Sequence, residues 1–196
     1  MSRMREYPAG SSPPKATLST AYHESAHAVI ARAIRYSRVD RIELDVARLA
    51  SGLTTFARSK HHPAVVFYDG WLTTTPFSVA ALKIWTAEPN KARYVKRYRK
   101  LIVVLLAGVA ADRRRQKRGS KARMPGNAGD MQEALRIATI LHGGNFFDAT
   151  MLVAECESDA RALVLQHWAA VERVAIALWK RKRLSGKRFE KLFAQN

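Results

Sequence analysis

The chain has 196 residues, enough for one domain with a proper core, or for one domain with a tail. Its single cysteine, Cys156, excludes an internal disulfide and any cysteine-based zinc site, and reads as a small buried hydrophobe. The 34 Lys and Arg residues against 16 Asp and Glu give a formal charge of +18, a surface that attracts nucleic acid, anionic lipid or acidic polypeptide.

The chain opens with a polar stretch, Met1 to Lys15, punctuated by Pro8, Gly10, Pro13 and Pro14. It lacks the apolar core of a signal peptide, so residues 1–17 are expected to be a flexible arm on a cytoplasmic protein. Leu18-Ser19-Thr20 then offers a helix start, with Ser19 or Thr20 as N-cap, and the helix is expected to run to about Arg35. This helix carries His23-Glu24-Ser25-Ala26-His27, an H-E-x-x-H pattern. Histidines four apart share a helix face and can grip one metal ion together. Glu24, beside the first of them, is placed to take a proton from a water that the metal activates. Ala21, Ala26, Ala28, Val29, Ala31 and Ala33 mark the helix as tightly packed, an environment in which two histidines are not ordinary surface residues.

Val39 to Leu44 has the look of a strand, and Gly52 to Phe56 that of a second, after a turn at Ala50-Ser51-Gly52. His61 and His62 are neighbours in the chain, so on an extended backbone they point apart, and they are expected in a loop. Phe77 to Glu88 suits a short helix, and Lys91 to Lys117 a long one with an apolar centre and basic ends. Its apolar stretch, Leu101 to Ala111, is about half the length of a membrane-spanning helix and reads as a buried core segment. A strongly basic run, Arg113 to Arg123, then leads into a mobile loop.

Gly126 to Ala138 opens another helix, with Asp130 in its first turn, where a carboxylate also complements the helix dipole. A zinc site built on H-E-x-x-H needs a third protein ligand from elsewhere. The metzincin arrangement would need glycine at position 30 and histidine at 33, but the chain has Ile30 and Ala33. Asp130 and Glu133, one helical turn apart, are the leading candidates. The remainder reads as helices over Asp148 to Cys156, Ser158 to His167 and Ala169 to Arg183, then a last helix from Gly186 to Phe193 capped by Ser185. Trp168 and Trp179 read as core or interface residues, His142 as a helix-end residue before Gly143-Gly144, and His167 as an ordinary helix residue.

Four blocks, in order, resemble the zinc peptidase domain of the FtsH-type AAA proteases. T-A-Y-H-E-S-A-H-A at Thr20 to Ala28 is similar to that family's T-A-Y-H-E-A-G-H-A, and L-A-G-V-A-A-D at Leu106 to Asp112 to its L-A-G-R-A-A-E. Asn127 to Leu135 resembles its loop-to-helix block, whose zinc-binding Asp falls on Asp130, and L-S-G-K-R-F-E-K-L at Leu184 to Leu192 resembles its terminal L-x-G-E-E-I-x-x-L. The resemblance spans Leu18 to the C-terminus, and residues 61–90 have no counterpart in it. It implies a zincin-like, mostly α domain with a small β-sheet (α+β) and a helical C-terminal part over 18–196. It also implies Zn2+ held by His23, His27 and Asp130, with Glu24 as general base, in a metalloendopeptidase that hydrolyses polypeptide.

No G-x-x-x-x-G-K-[ST] phosphate loop occurs in the sequence, so the expected enzyme has no ATPase of its own, and it takes loose polypeptide or borrows a separate AAA ATPase. Two other readings compete. One is a non-catalytic, zinc-stabilised interaction module, which would have no need of Glu24. The other is a nucleic-acid-associated protein, for which the sequence offers charge but no recognisable nucleic-acid fold.

Overall fold

The computed structural model describes residues 15–45, 51–56, 91–116 and 127–195. His61, His62, the short helix at Phe77 to Glu88, most of the N-terminal arm and the basic loop beyond Gln116 lie outside the described residues. In chain order the elements are α1 (Lys15–Ala33), β1 (Val39–Asp45), β2 (Ser51–Phe56), α2 (Lys91–Arg115), α3 (Asn127–Leu141), α4 (Phe146–Gln166), α5 (Trp168–Arg181), β3 (Arg183–Ser185) and α6 (Gly186–Phe193). The fold is mostly helical with one small antiparallel sheet, of the α+β class.

Helix α1 runs through the middle. Ala21, Ala26, Ala28, Val29, Ile30 and Ala31 are all fully buried, because small side chains let α2 and α5 approach its axis from different sides. The helix starts at Lys15, earlier than the sequence suggests, so Ser19 and Thr20 are helical residues and not caps. Ser19 instead directs its hydroxyl toward Asp112 Oδ1, 3.4 Å away. At the other end, Tyr36 N donates to Ala31 O and Arg35 N to Arg32 O, a Schellman closure with Arg35 at φ 53° where glycine is usual.

Helix α2 is buried without interruption from Leu101 to Asp112, as its apolar centre requires, and packs against α1, α3 and α4. α3 and α4 form a helical hairpin closed by Gly143 at φ 63°, with Gly144 N bonded to Thr139 O and Asn145 capping α4. α4 is continuous through Cys156-Glu157-Ser158, where the sequence reading has two helices. Nothing there removes a backbone hydrogen bond, and Glu157 lies on the helix surface, paired with Arg113 and Arg161. Cys156 is buried, and burial pushes its thiol up to about 11. His167 stands at the joint between α4 and α5 and is not an ordinary helix residue. Trp168 stacks on Tyr22 at 5.6 Å, and both Trp168 and Trp179 pack against the core.

The sheet order is β2-β1-β3, all antiparallel. Val39, Ile42 and Leu44 are buried on one face, which strict alternation forbids. An irregularity in pairing between Val39 and Arg41 absorbs the extra residue. β3 is not expected from sequence: it takes Arg183 from the end of the helix read over Ala169 to Arg183, together with Leu184 and the cap Ser185. Three residues carry no periodic signal, and the strand exists because Arg41, Ile42 and Glu43 pair with Ser185, Leu184 and Arg183. Gly186 follows it at a close approach: a Cβ there would stand 2.2 Å from Val39 O. Ser185 accepts a hydrogen bond from Arg188 N at 3.4 Å and caps α6, as expected. No helix among the described residues is long and apolar enough to cross a membrane.

Candidate metal centre

α1, α2 and α3 meet around the two histidines of the H-E-x-x-H turn. One helical turn apart on α1, His23 and His27 project to the same side, with ring centroids 4.6 Å apart and planes at 87°. Asp130, in the first turn of α3, reaches both. Its Oδ2 is 2.9 Å from His23 Nε2 and 3.3 Å from His27 Nε2. The three donor atoms lie within 4.8 Å of one another, a group able to hold a metal ion. Glu133, the alternative third ligand in the sequence reading, turns away and forms a fork-like pair with Arg136, one distance of which is 2.7 Å.

The outer ring nitrogens are committed elsewhere. His23 Nδ1 donates to Asp112 Oδ2 at 2.8 Å and His27 Nδ1 donates to the Val104 carbonyl at 2.7 Å. With Nδ1 protonated, a neutral imidazole presents the lone pair of Nε2 inward, which is the tautomer a metal requires. Gly108 lies between these anchors on α2. A Cβ there would be 2.6 Å from Cε1 of both histidines, so the missing side chain is the space the rings occupy. Two inward Nε2 atoms, a carboxylate oxygen and a floor of bare backbone make a donor set that could hold a metal ion.

Glu24 is seated by the sheet. Thr54 Oγ1 lies 2.7 Å from Glu24 Oε2 and 3.0 Å from its backbone oxygen. A Cβ at Gly52 would fall 2.5 Å from Glu24 Cγ, so glycine is what lets the strand approach. Glu24 is close enough to His27 to favour its charged form.

The acids around the two rings favour their charged form. Burial disfavours a charged imidazole at His23, but its hydrogen bonds to Asp112 and Asp130 outweigh this and raise the ring to about 10. Burial works against a charged His27 as well, and Asp130 again overcomes it, so this ring is also raised. Despite its own burial, Asp130 is held well below the usual carboxylate range by the same two histidines. A raised folded-state value at His23 stabilises the fold fully below the free-histidine 6.5, a contribution lost as pH climbs through about 10. Metal binding needs the neutral rings, so it has the opposite sign. Uptake of a metal ion near pH 7 should release protons, and affinity should rise with pH. Calorimetric titration in two buffers of different ionisation heat checks this; equal apparent heats in both would show that the rings are already neutral.

The structure thus brings together His23, His27 and Asp130, places Glu24 next to them, and leaves Glu133, His142 and His167 apart. Sequence reasoning misses Asp112, Gly108, Val104, Gly52 and Thr54 as supports. A signal for Asp112 is present: a lone carboxylate ending an otherwise apolar helical run, four residues after a glycine. Compared with known proteins, the chain matches no family model and no curated protein.

Proposed function

We propose that this protein is a zinc-dependent metallopeptidase acting on polypeptides, with an active site similar to that of the FtsH-type peptidase domains. The observation that carries this reading is the convergence of His23 Nε2, His27 Nε2 and Asp130 Oδ2 beside the sheet-anchored Glu24. His23, His27 and Asp130 would hold the ion. Bound there, zinc supplies a Lewis acid that polarises the scissile carbonyl and activates water at neutral pH. Glu24 takes a proton from the attacking water and returns it to the leaving amine. Thr54 and Gly52 fix the carboxylate's position, and Asp112 and the Val104 carbonyl fix the rings. β2 pairs with β1 on one side only among the described residues, so its other edge can receive an extended substrate backbone.

A purely structural zinc site would not need an anchored Glu24, which favours hydrolysis over the interaction-module reading. The decisive test is metal content followed by cleavage of unfolded casein with and without chelator. The protein should carry about one zinc per chain. Asp130→Ala should weaken zinc binding far more than Glu133→Ala, whose side chain pairs with Arg136 and not with the histidines. The reverse ranking would remove Asp130 from the ligand set and with it the FtsH-like reading.

A further inference from the structure

The turn from α5 through β3 into α6 carries seven Lys or Arg residues between positions 180 and 191 against one acid, Glu190. Lys180, Arg181, Arg183, Lys187, Arg188 and Lys191 are all exposed. Among the described residues, only Arg183 of these six is ion-paired, with Glu43 at 2.9 Å. Two acids of the adjoining elements are already engaged: Glu43 also meets Arg41, and Glu190 is clamped by Arg32 at 2.9 Å. Asp40 is exposed, and its backbone oxygen lies beside Gly186.

The arrangement opposes what helix stability asks for. Ser185 caps α6, so Lys187 and Arg188 occupy its first turn, where the helix dipole favours acids and disfavours cations. Lys187 and Lys191 are one turn apart on the same face and repel. A local rule broken on a well-packed element, with Phe189 and Leu184 fully buried beneath, marks a surface kept for a partner. The densest regular anionic partner is a nucleic-acid backbone. A bilayer is the poorer fit, because membrane-surface helices add apolar anchors to their cations, and residues 180–195 expose no large apolar side chain.

We propose that the α5–β3–α6 face binds the phosphate backbone of nucleic acid without reading sequence, independently of the metal centre. The test is fluorescence anisotropy of the full chain with a labelled DNA duplex of arbitrary sequence across a salt series. Lys187→Glu/Arg188→Glu should weaken binding at least about tenfold. It should also reduce the slope of log affinity against log salt by about 2, near 0.9 for each phosphate that is no longer neutralised. Arg93→Glu/Lys96→Glu, the same charge change on exposed residues of α2, should weaken binding less than about threefold. The first variant should melt no lower than wild type, since acids suit a helix N-terminus. Should it fail to fold, Lys187→Gln/Arg188→Gln compared with Arg93→Gln/Lys96→Gln decides by the same ranking. Equal losses in both pairs, no duplex binding at low salt, or retained duplex binding alongside lost binding to phosphatidylserine vesicles would each overturn the proposal.

Discussion

Replacing Glu24 by glutamine should leave zinc in place and the fold intact while lowering peptide hydrolysis about 10²- to 10⁴-fold, the usual contribution of a positioned general base. The amide keeps the shape of the carboxylate, and Thr54 Oγ1, now 2.7 Å from Oε2, can still donate to the remaining carbonyl oxygen. What disappears is the ability to accept a proton at neutral pH. The measurement is casein cleavage beside metal analysis of the same preparation. A Glu24→Gln protein that cleaves at the wild-type rate would falsify the assignment of Glu24 as base. A wild-type protein that binds zinc but cleaves nothing would favour the interaction-module reading.

The second large effect is expected from the smallest side-chain addition. Gly108→Ala introduces a methyl 2.6 Å from Cε1 of both histidines. α2 is packed against three other helices and has no direction in which to retreat. The imidazoles must therefore turn, which strains or breaks the Nδ1 bonds to Asp112 and the Val104 carbonyl. Loss of such outer partners typically costs about 10- to 100-fold in metal affinity, and the overpacking itself costs about 1–3 kcal/mol of stability. Gly129→Ala is the control, because a Cβ there meets nothing within 4 Å although Asp130 is its neighbour. Competition titration against a chromophoric chelator reports the first effect and thermal unfolding the second. Equal zinc affinities for the two variants would show that the rings have room that the structure does not give them.

These two residues show where sequence reading reaches and where it stops. Glu24 is legible because its chemistry and its distance along one helix from His23 and His27 are local. The residues alone leave Asp130 and Glu133 both open; the resemblance ranks Asp130 first, and the packing of α3 is what carries its carboxylate to the two histidines. Gly108 and Asp112 are visible as a block yet carry no role. Their meaning lies in the approach of residues about ninety positions earlier in the chain, and helix periodicity says nothing of a partner helix's rotation. The same limit explains the sheet. β1 and β2 are neighbours in sequence and can be read, whereas β3 pairs with β1 across more than a hundred residues and reads only as the junction between two helices. α1 begins earlier than expected because the cap signal at Ser19 and Thr20 is real chemistry with another use: Ser19 faces Asp112.

Val104, Gly108 and Asp112 follow one another at intervals of four along α2, and His23 and His27 keep the same interval along the antiparallel α1. The two helices thus act as a pair of graduated rules read against each other. One residue inserted between positions 104 and 112 would rotate everything beyond it by about 100° and slide it about 1.5 Å, so Val104 and Asp112 could no longer meet His27 and His23 at once. The count of residues between β2 and α2 does not enter this alignment at all. Distant kin of this chain should therefore be recognisable by two rigid spacings, H-E-x-x-H and a glycine four residues ahead of an aspartate in a later apolar helix, joined by a stretch of arbitrary length.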